Sequence, residues 1–312
     1  MCGIIGLHLK NPDLQPRLGE LLTQMLEAMT TRGPDSAGIA VYSDPASCGP
    51  ASCDPAPTGP EHTVLRYSLR AEEPLDWELL GQRLAADTGA EVRVGQLGPD
   101  VAVLSSAADE ALLLGAVRLA APKVAVVGWG QSMVLVKDVG APADICHRYG
   151  IPGWAGYQGA GHTRMATESA VTTAHSHPFA PAADLALVHN GSFSNYATIR
   201  GRLARAGVSC DTDNDSEVAA RLIASRMAAG DGLEDAIRTV LKEMDGFFTL
   251  LVTTRTQFAV VRDSFACKPA VIAETSDYVA MASEYHALAG LPGITGAEVF
   301  EPMPEEIHLW SR

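Results

Sequence analysis

The stretch "MCGII" (residues 1–5), running on as "CGIIGLHL" (2–9), decides how the rest of this chain is read. Its apolar run reads as a buried β-strand. Cys2 stands directly behind the first methionine. Removal of Met1 makes Cys2 residue one, with a thiol and a free α-amine on the same residue. Their unperturbed pKa values are roughly 8.5 and about 7.7–8.0. Such a residue is a nucleophile carrying its own base, poised near neutral pH. A retained Met1 would acylate the amine and remove that base. A small apolar residue opening a strand satisfies the same five positions, so the decision falls to the rest of the sequence.

Working outward, Leu18, Leu21, Leu22, Met25, Leu26 and Met29 fall on one helical face, and Gly33 follows as a stop. "GIAVY" (38–42) reads as a second strand, and the Pro/Ser/Gly-rich residues 43–61 read as a surface linker. Between residues 62 and 140 a strand, a helix, two strands, a helix and a strand follow one another. That β-α-β-β-α-β order is the ferredoxin-like arrangement, and the same pattern could instead extend the main sheet. "LALVHNGS" (185–192) is a buried strand, residues 215–229 form a helix that Asn214 or Asp215 could cap, and residues 233–244 form another. "FFTLLVTT", "FAVVRD", "AVIAE" and "YVAMAS" then read as short strands. Strands, helices and an antiparallel-looking strand series suggest stacked sheets with helices outside.

The composition bounds the partners. The 312 residues are 47% hydrophobic and carry a formal net charge of −14. That balance argues against nucleic acid and against an anionic membrane surface. No run of about 20 apolar residues is present, so no transmembrane helix is expected. The first residues lack the pattern of a secretory signal, and the cytoplasm is the simplest compartment. The six cysteines form no CxxC pair, which speaks against a disulfide framework or a metal cluster. His175 and His177 alternate but have no third ligand at convincing spacing, so no metal is expected.

Five polar stretches interrupt the apolar pattern, each at the end of an expected element: "RGPDSAG" (32–38), "GHTRMATES" (161–169), "HSHPF" (175–179), "VHNGSFSNY" (188–196) and "TDNDSEV" (212–218). With Cys2 they supply the parts of an amide-cleaving site. Asn190 offers a side-chain amide and Gly191 a backbone N–H for a tetrahedral oxyanion. Arg164 can take an α-carboxylate in a two-pronged contact, and Asp215 can take an α-ammonium. Glutamine held this way would present its side-chain amide to Cys2.

These motifs, in this order and continued by "VVRDSFACKPAVIAE" and "YVAMASEYHAL", resemble a class II glutamine amidotransferase domain of the N-terminal-nucleophile (Ntn) hydrolase type. The resemblance implies an α+β fold, a four-layer α/β/β/α sandwich, over residues 1–42 and 157–312. Residues 43–156 would be a linker and an inserted small α/β, ferredoxin-like subdomain. By resemblance Cys2 is the nucleophile and its α-amine the base. Asn190 and Gly191 form the oxyanion hole, and Arg164 and Asp215 bind glutamine. Thr167 supports the carboxylate contact, and Arg32 and Gly33 shape the loop over the nucleophile. Met165 stands where sugar-amidating members place tryptophan. The wording of "GHTRMATES", "HNGSFSN" and "ACKPAVIAE" is most similar to the stand-alone amidotransferase-like subunits of N-methylglutamate synthase and glutamate-synthase-like complexes. That implies a hetero- or homo-oligomer with synthase subunits as partners. It implies no cofactor in this chain, with FMN and an iron–sulfur cluster in the partner subunits. A glutamine-binding subunit that organises such a complex without turnover, and a self-contained glutaminase, are the alternatives.

Overall fold

Ile4, Ile5, Leu7 and Leu9 put apolar side chains on both faces of Gly3–Leu9, and this segment becomes β1, buried on both faces. The computed structural model describes residues 2–44, 63–165 and 171–312. The expected linker lies almost wholly outside them, and so does Thr167. After β1 come α1 (Leu18–Ala28), β2 (Ser36–Tyr42), β3 (Leu65–Ala71), α2 (Trp77–Thr88), β4 (Val92–Gln96), β5 (Val101–Ser106) and α3 (Glu110–Ala120). Next are β6 (Val124–Gly130), β7 (Met133–Val139), α4 (Pro142–Arg148), β8 (Gln158–Arg164), β9 (Phe179–Ala182), β10 (Leu185–Phe193), α5 (Tyr196–Arg205), α6 (Asp215–Ala228) and α7 (Leu233–Glu243). The chain closes with β11 (Gly246–Thr253), β12 (Gln257–Arg262), β13 (Val271–Glu274), β14 (Tyr278–Ala282), β15 (Glu298–Phe300) and β16 (Ile307–Ser311).

Two antiparallel sheets make the body. One runs β15-β13-β14-β1-β8-β2-β7, the other β16-β12-β11-β10-β9. Ile4, Ala160, Ile272 and Met281 of the first sheet interlock with Val188, Leu251, Phe258 and Val260 of the second, forming the core between them. Gly6 permits that approach, since a Cβ there would sit 2.4 Å from a Leu251 methyl. The Leu18, Leu21, Leu22, Met25 stripe of α1 covers the outer face of the first sheet. Val218, Leu222 and Ile223 of α6 and Ile237 and Val240 of α7 cover the second. The result is the four-layer α/β/β/α sandwich of an Ntn hydrolase.

A third sheet, β4-β5-β3-β6, carries α2 and α3 on one face around Tyr67, Trp77, Leu84, Leu104 and Leu113. Its strand order and antiparallel pairing are those of a ferredoxin-like unit. The other face is not free. Val101 and Val103 of β5 join the core of α1, β2 and α4. The separate sheet ends at Gly130, whereas the expected insertion runs to residue 156. β7 pairs with β2 from Met133↔Tyr42 to Val139↔Ser36, and α4 buries Ile145 and Cys146 against the body. "MVLVKDV" is apolar enough to enter either sheet, and only the β2 pairing decides. No helix among the described residues is long and apolar enough to cross a membrane.

Candidate active site

β1 is paired with β8 in the register Gly3↔Thr163, so Cys2 and Arg164 reach the same end of the sheet. Side chains alternate along a strand. Ile4 faces the space between the two sheets, and Cys2, two residues earlier, shares that face. The Arg32 Nε donates to the Cys2 carbonyl at 3.0 Å, and its Nη1 is paired with Glu284. Gly33 lies against β8, where a Cβ would stand 2.5 Å from the Arg164 nitrogen. A side chain at 33 would push apart the loop and the strand end. The structure thus gathers Cys2, Arg32, Gly33 and Arg164 at one point. Glu284 and Ser283, whose Oγ accepts from the Ile4 N–H at 2.9 Å, belong to the same end. Sequence reasoning quoted both within "YVAMASEYHAL" and gave them no role.

The second group hangs on β10. Asn190 shares the inter-sheet face with Val188 and is buried. Its Nδ2 has no hydrogen-bond partner in the structure. A buried amide left unpaired costs about 1–3 kcal/mol, and this one has a donor to give to a group outside the described residues. Gly191 has φ +155°, and a Cβ would meet the Phe247 carbonyl at 2.1 Å. Opposite it, Phe248 commits its N–H and C=O to Asp263. Gly191 therefore occupies a non-hydrogen-bonded pair, with its N–H turned away from β11. The amide of Asn190 and the N–H of Gly191 are two available donors on consecutive residues.

Hydrogen bonds tie the two groups together. His162, opposite Ile4 on β8, donates from Nε2 to the His189 carbonyl at 3.0 Å. His189 Nδ1 lies 2.7 Å from the Ser216 Oγ, which donates to Asp215 Oδ1 at 3.2 Å. The serine hydroxyl then accepts from His189, which fixes that tautomer. Asp215 Oδ2 accepts from the Phe193 N–H at 2.8 Å, two residues past Gly191. Asn214 caps α6, accepting from the Ser216 N–H, so Asp215 keeps part of its carboxylate for a ligand. These bonds link Asp215 to the strand that carries Asn190 and Gly191, and through His162 to the strand that ends at Arg164; Thr167 lies outside the described residues.

Behind them lies a cluster that sequence reasoning did not see. The His162 and His177 rings are 4.1 Å apart and those of His177 and His189 are 6.3 Å apart, all three buried. Burial lowers all three pKa values, that of His162 to about 3. The Asp215 carboxylate opposes the shift at His189 without reversing it. His175 instead pairs with Asp213 at 2.7 Å, away from His177. Among the described residues no group of three or more His, Cys, Asp or Glu could hold a metal ion.

A family model described as a glutamine amidotransferase domain matches residues 162–290. The chain is 44% identical to the glutamine amidotransferase-like protein GlxB of Rhizobium meliloti, over 99% of this chain and 98% of that protein. It is 41% identical to the glutamine–fructose-6-phosphate aminotransferase of Mycolicibacterium smegmatis, over 32% of this chain and 16% of that one. The fold is similar to that of the glutamine phosphoribosylpyrophosphate amidotransferase of B. subtilis, with a TM-score of 0.60 at 18% identity, covering 100% of this chain and 49% of that structure. With the four-layer sandwich already described, the full-length match to GlxB establishes that this chain belongs to the class II glutamine amidotransferase family.

Proposed function

We propose that the chain hydrolyses glutamine to glutamate and ammonia through a γ-glutamyl thioester on Cys2, and hands the nitrogen to a synthase subunit. The observation that carries the reading is the unpartnered, buried Nδ2 of Asn190 beside the outward N–H of Gly191, on the face that Cys2 shares. With Met1 removed, the α-amine of Cys2 takes the thiol proton as Sγ attacks the side-chain amide carbon. The carbonyl oxygen becomes an oxyanion held by Asn190 and Gly191. The amine returns the proton to the leaving nitrogen, and ammonia departs as the thioester forms. Water, deprotonated by the same amine, attacks the thioester and releases glutamate and the thiol. Arg164 and Asp215 fix the substrate's α-carboxylate and α-ammonium, Arg32 holds the Cys2 backbone, and Gly33 lets the loop close on the end of β8.

Asn190→Ala should lower kcat by about 10²–10³ with little change in KM, because its donor acts where charge develops. A raised KM with kcat unchanged would place Asn190 in ground-state binding instead. Arg164→Lys keeps the charge and loses the planar fork. It should raise the glutamine KM at a cost of roughly 2–4 kcal/mol in kcat/KM, and Asp215→Asn should act alike. Unchanged kinetics in both variants would move the glutamine site elsewhere.

The acceptor is the finer part of the proposal. The motif wording supports a synthase of the N-methylglutamate synthase or glutamate-synthase-like kind, with FMN and an iron–sulfur cluster on that partner. Glutamine hydrolysis assayed with and without co-purified synthase subunits tests this reading. Turnover stimulated by the partner and its acceptor supports it. Full turnover alone with no response to the partner makes the chain a self-contained glutaminase. Binding of glutamine without turnover makes it an organising subunit.

A further inference from the structure

The inserted sheet and the body enclose a cavity of ≈ 310 Å³, which none of the described residues of the glutamine site lines. That volume falls in the range of small-molecule sites. Leu114, Val126 and Phe179 give it apolar walls, and its acidic groups are already spent. Glu217 accepts from the Asp211 and Thr212 N–H groups and the Thr212 hydroxyl, and Arg221 pairs with Glu217 and Asp211.

What remains is donor capacity. Arg118, on the last turn of α3, lines the cavity and makes no ion pair or hydrogen bond among the described residues. The Trp129 Nε1 is buried with no partner. Lys137 is buried and donates only to the backbone carbonyls of Ser176, at 2.8 Å, and Pro178, at 3.5 Å. Burial pulls its pKa down to about 8 against the pull of Glu217, so it remains largely charged at neutral pH. An exposed guanidinium, an unpaired indole N–H and an ammonium that holds two carbonyls and the Phe179 face but no carboxylate, set around apolar walls, call for an anion with an apolar body.

The far walls belong to segments that build the glutamine site. Thr212 and Glu217 flank Asp215 on the turn into α6. Ala174 and Phe179 bracket the segment that His175 ties to Asp213. A ligand bridging Arg118 to this side braces the turn that presents Asp215.

We propose that this cleft binds a small carboxylate with an apolar body, and that its occupancy sets how tightly the glutamine site holds its substrate. The second clause rests on the glutaminase reading; the first does not. Titration calorimetry on the full chain with 3-phenylpropionate tests the first. The expected result is saturable one-to-one binding with a dissociation constant of roughly 1 mM or below. The neutral isostere 3-phenyl-1-propanol should bind far more weakly. Arg118→Gln should weaken 3-phenylpropionate binding about 10-fold or more while leaving the circular dichroism spectrum unchanged, since Arg118 is exposed and bonds nothing among the described residues. No saturable heat up to about 10 mM, equal binding of the alcohol, or unchanged affinity in Arg118→Gln overturns the site. For the second clause, saturating 3-phenylpropionate should shift the glutamine KM at least about two-fold in wild type and not in Arg118→Gln. An unmoved KM overturns the coupling alone. A chain that binds the probe but hydrolyses no glutamine overturns the functional reading and leaves the site standing.

Discussion

Cys2→Ala is expected to abolish glutamine hydrolysis, by at least about 10⁴-fold, while changing stability by no more than about 0.5 kcal/mol. The first part follows from chemistry. Alanine retains the α-amine and leaves it nothing to activate. The second follows from position. Cys2 is half-buried ahead of β1, and only its backbone carbonyl is gripped, by Arg32. The other described thiols are poor substitutes. Burial pushes the Cys146 thiol up to about 11, and burial also raises that of Cys210. Cys267 is exposed, so a general alkylating agent would report it and mislead. A glutamine-analogue electrophile, which needs the α-carboxylate and α-ammonium contacts, should label Cys2 alone in peptide mass spectrometry. The same spectrum reports whether Met1 is removed. Labelling at Cys267, or hydrolysis surviving in Cys2→Ala, would sink the assignment.

Much of this site was legible because its parts are local. "HNG" places an amide and a flexible backbone donor side by side in any extended conformation. "CGIIGLHL" reads as a buried strand from its short apolar run, and the α1 stripe is amphipathic. The ferredoxin-like order was readable from alternating element types. What escaped depends on distant pairing. Asn214 and Asp215 are equal as caps on paper, and only the structure separates them, Asn214 accepting from the Ser216 N–H and Asp215 from the distant Phe193 N–H. β7 resembles any buried strand until it meets β2. His175 and His177, two residues apart, would share a face in a strand, and only the turn that carries them sends one to Asp213 and the other to His162. Glu284 sits 252 residues from Arg32, and no spacing rule joins them.

The buried histidines carry the second large effect, a loss of stability in mild acid. In the folded chain His162, His177 and His189 are held neutral by burial, and His8 is shifted the same way. In the unfolded chain each takes a proton near pH 6.5. Below that pH the unfolded state binds more protons than the folded one, so stability is fully present above pH 6.5 and falls as pH drops toward the folded values. For His162 that window extends down to about pH 3. Each such histidine removes up to about 1.4 kcal/mol per pH unit, so three together approach 4 kcal/mol per unit against a total stability of about 5–15 kcal/mol. The carboxylates whose pKa values are lowered, Asp138 and Glu217 among them, act only at more acid pH, so the interval from 6.5 to 5 reports the histidines. His177→Leu isolates one of them, because neither ring nitrogen of His177 has a hydrogen-bond partner to lose. Urea unfolding at pH 7, 6 and 5 should show wild type losing about 2 kcal/mol more than His177→Leu between the ends of that range. Parallel losses in the two proteins would mean that His177 is protonated in the folded state, and that the cluster is solvated rather than dry.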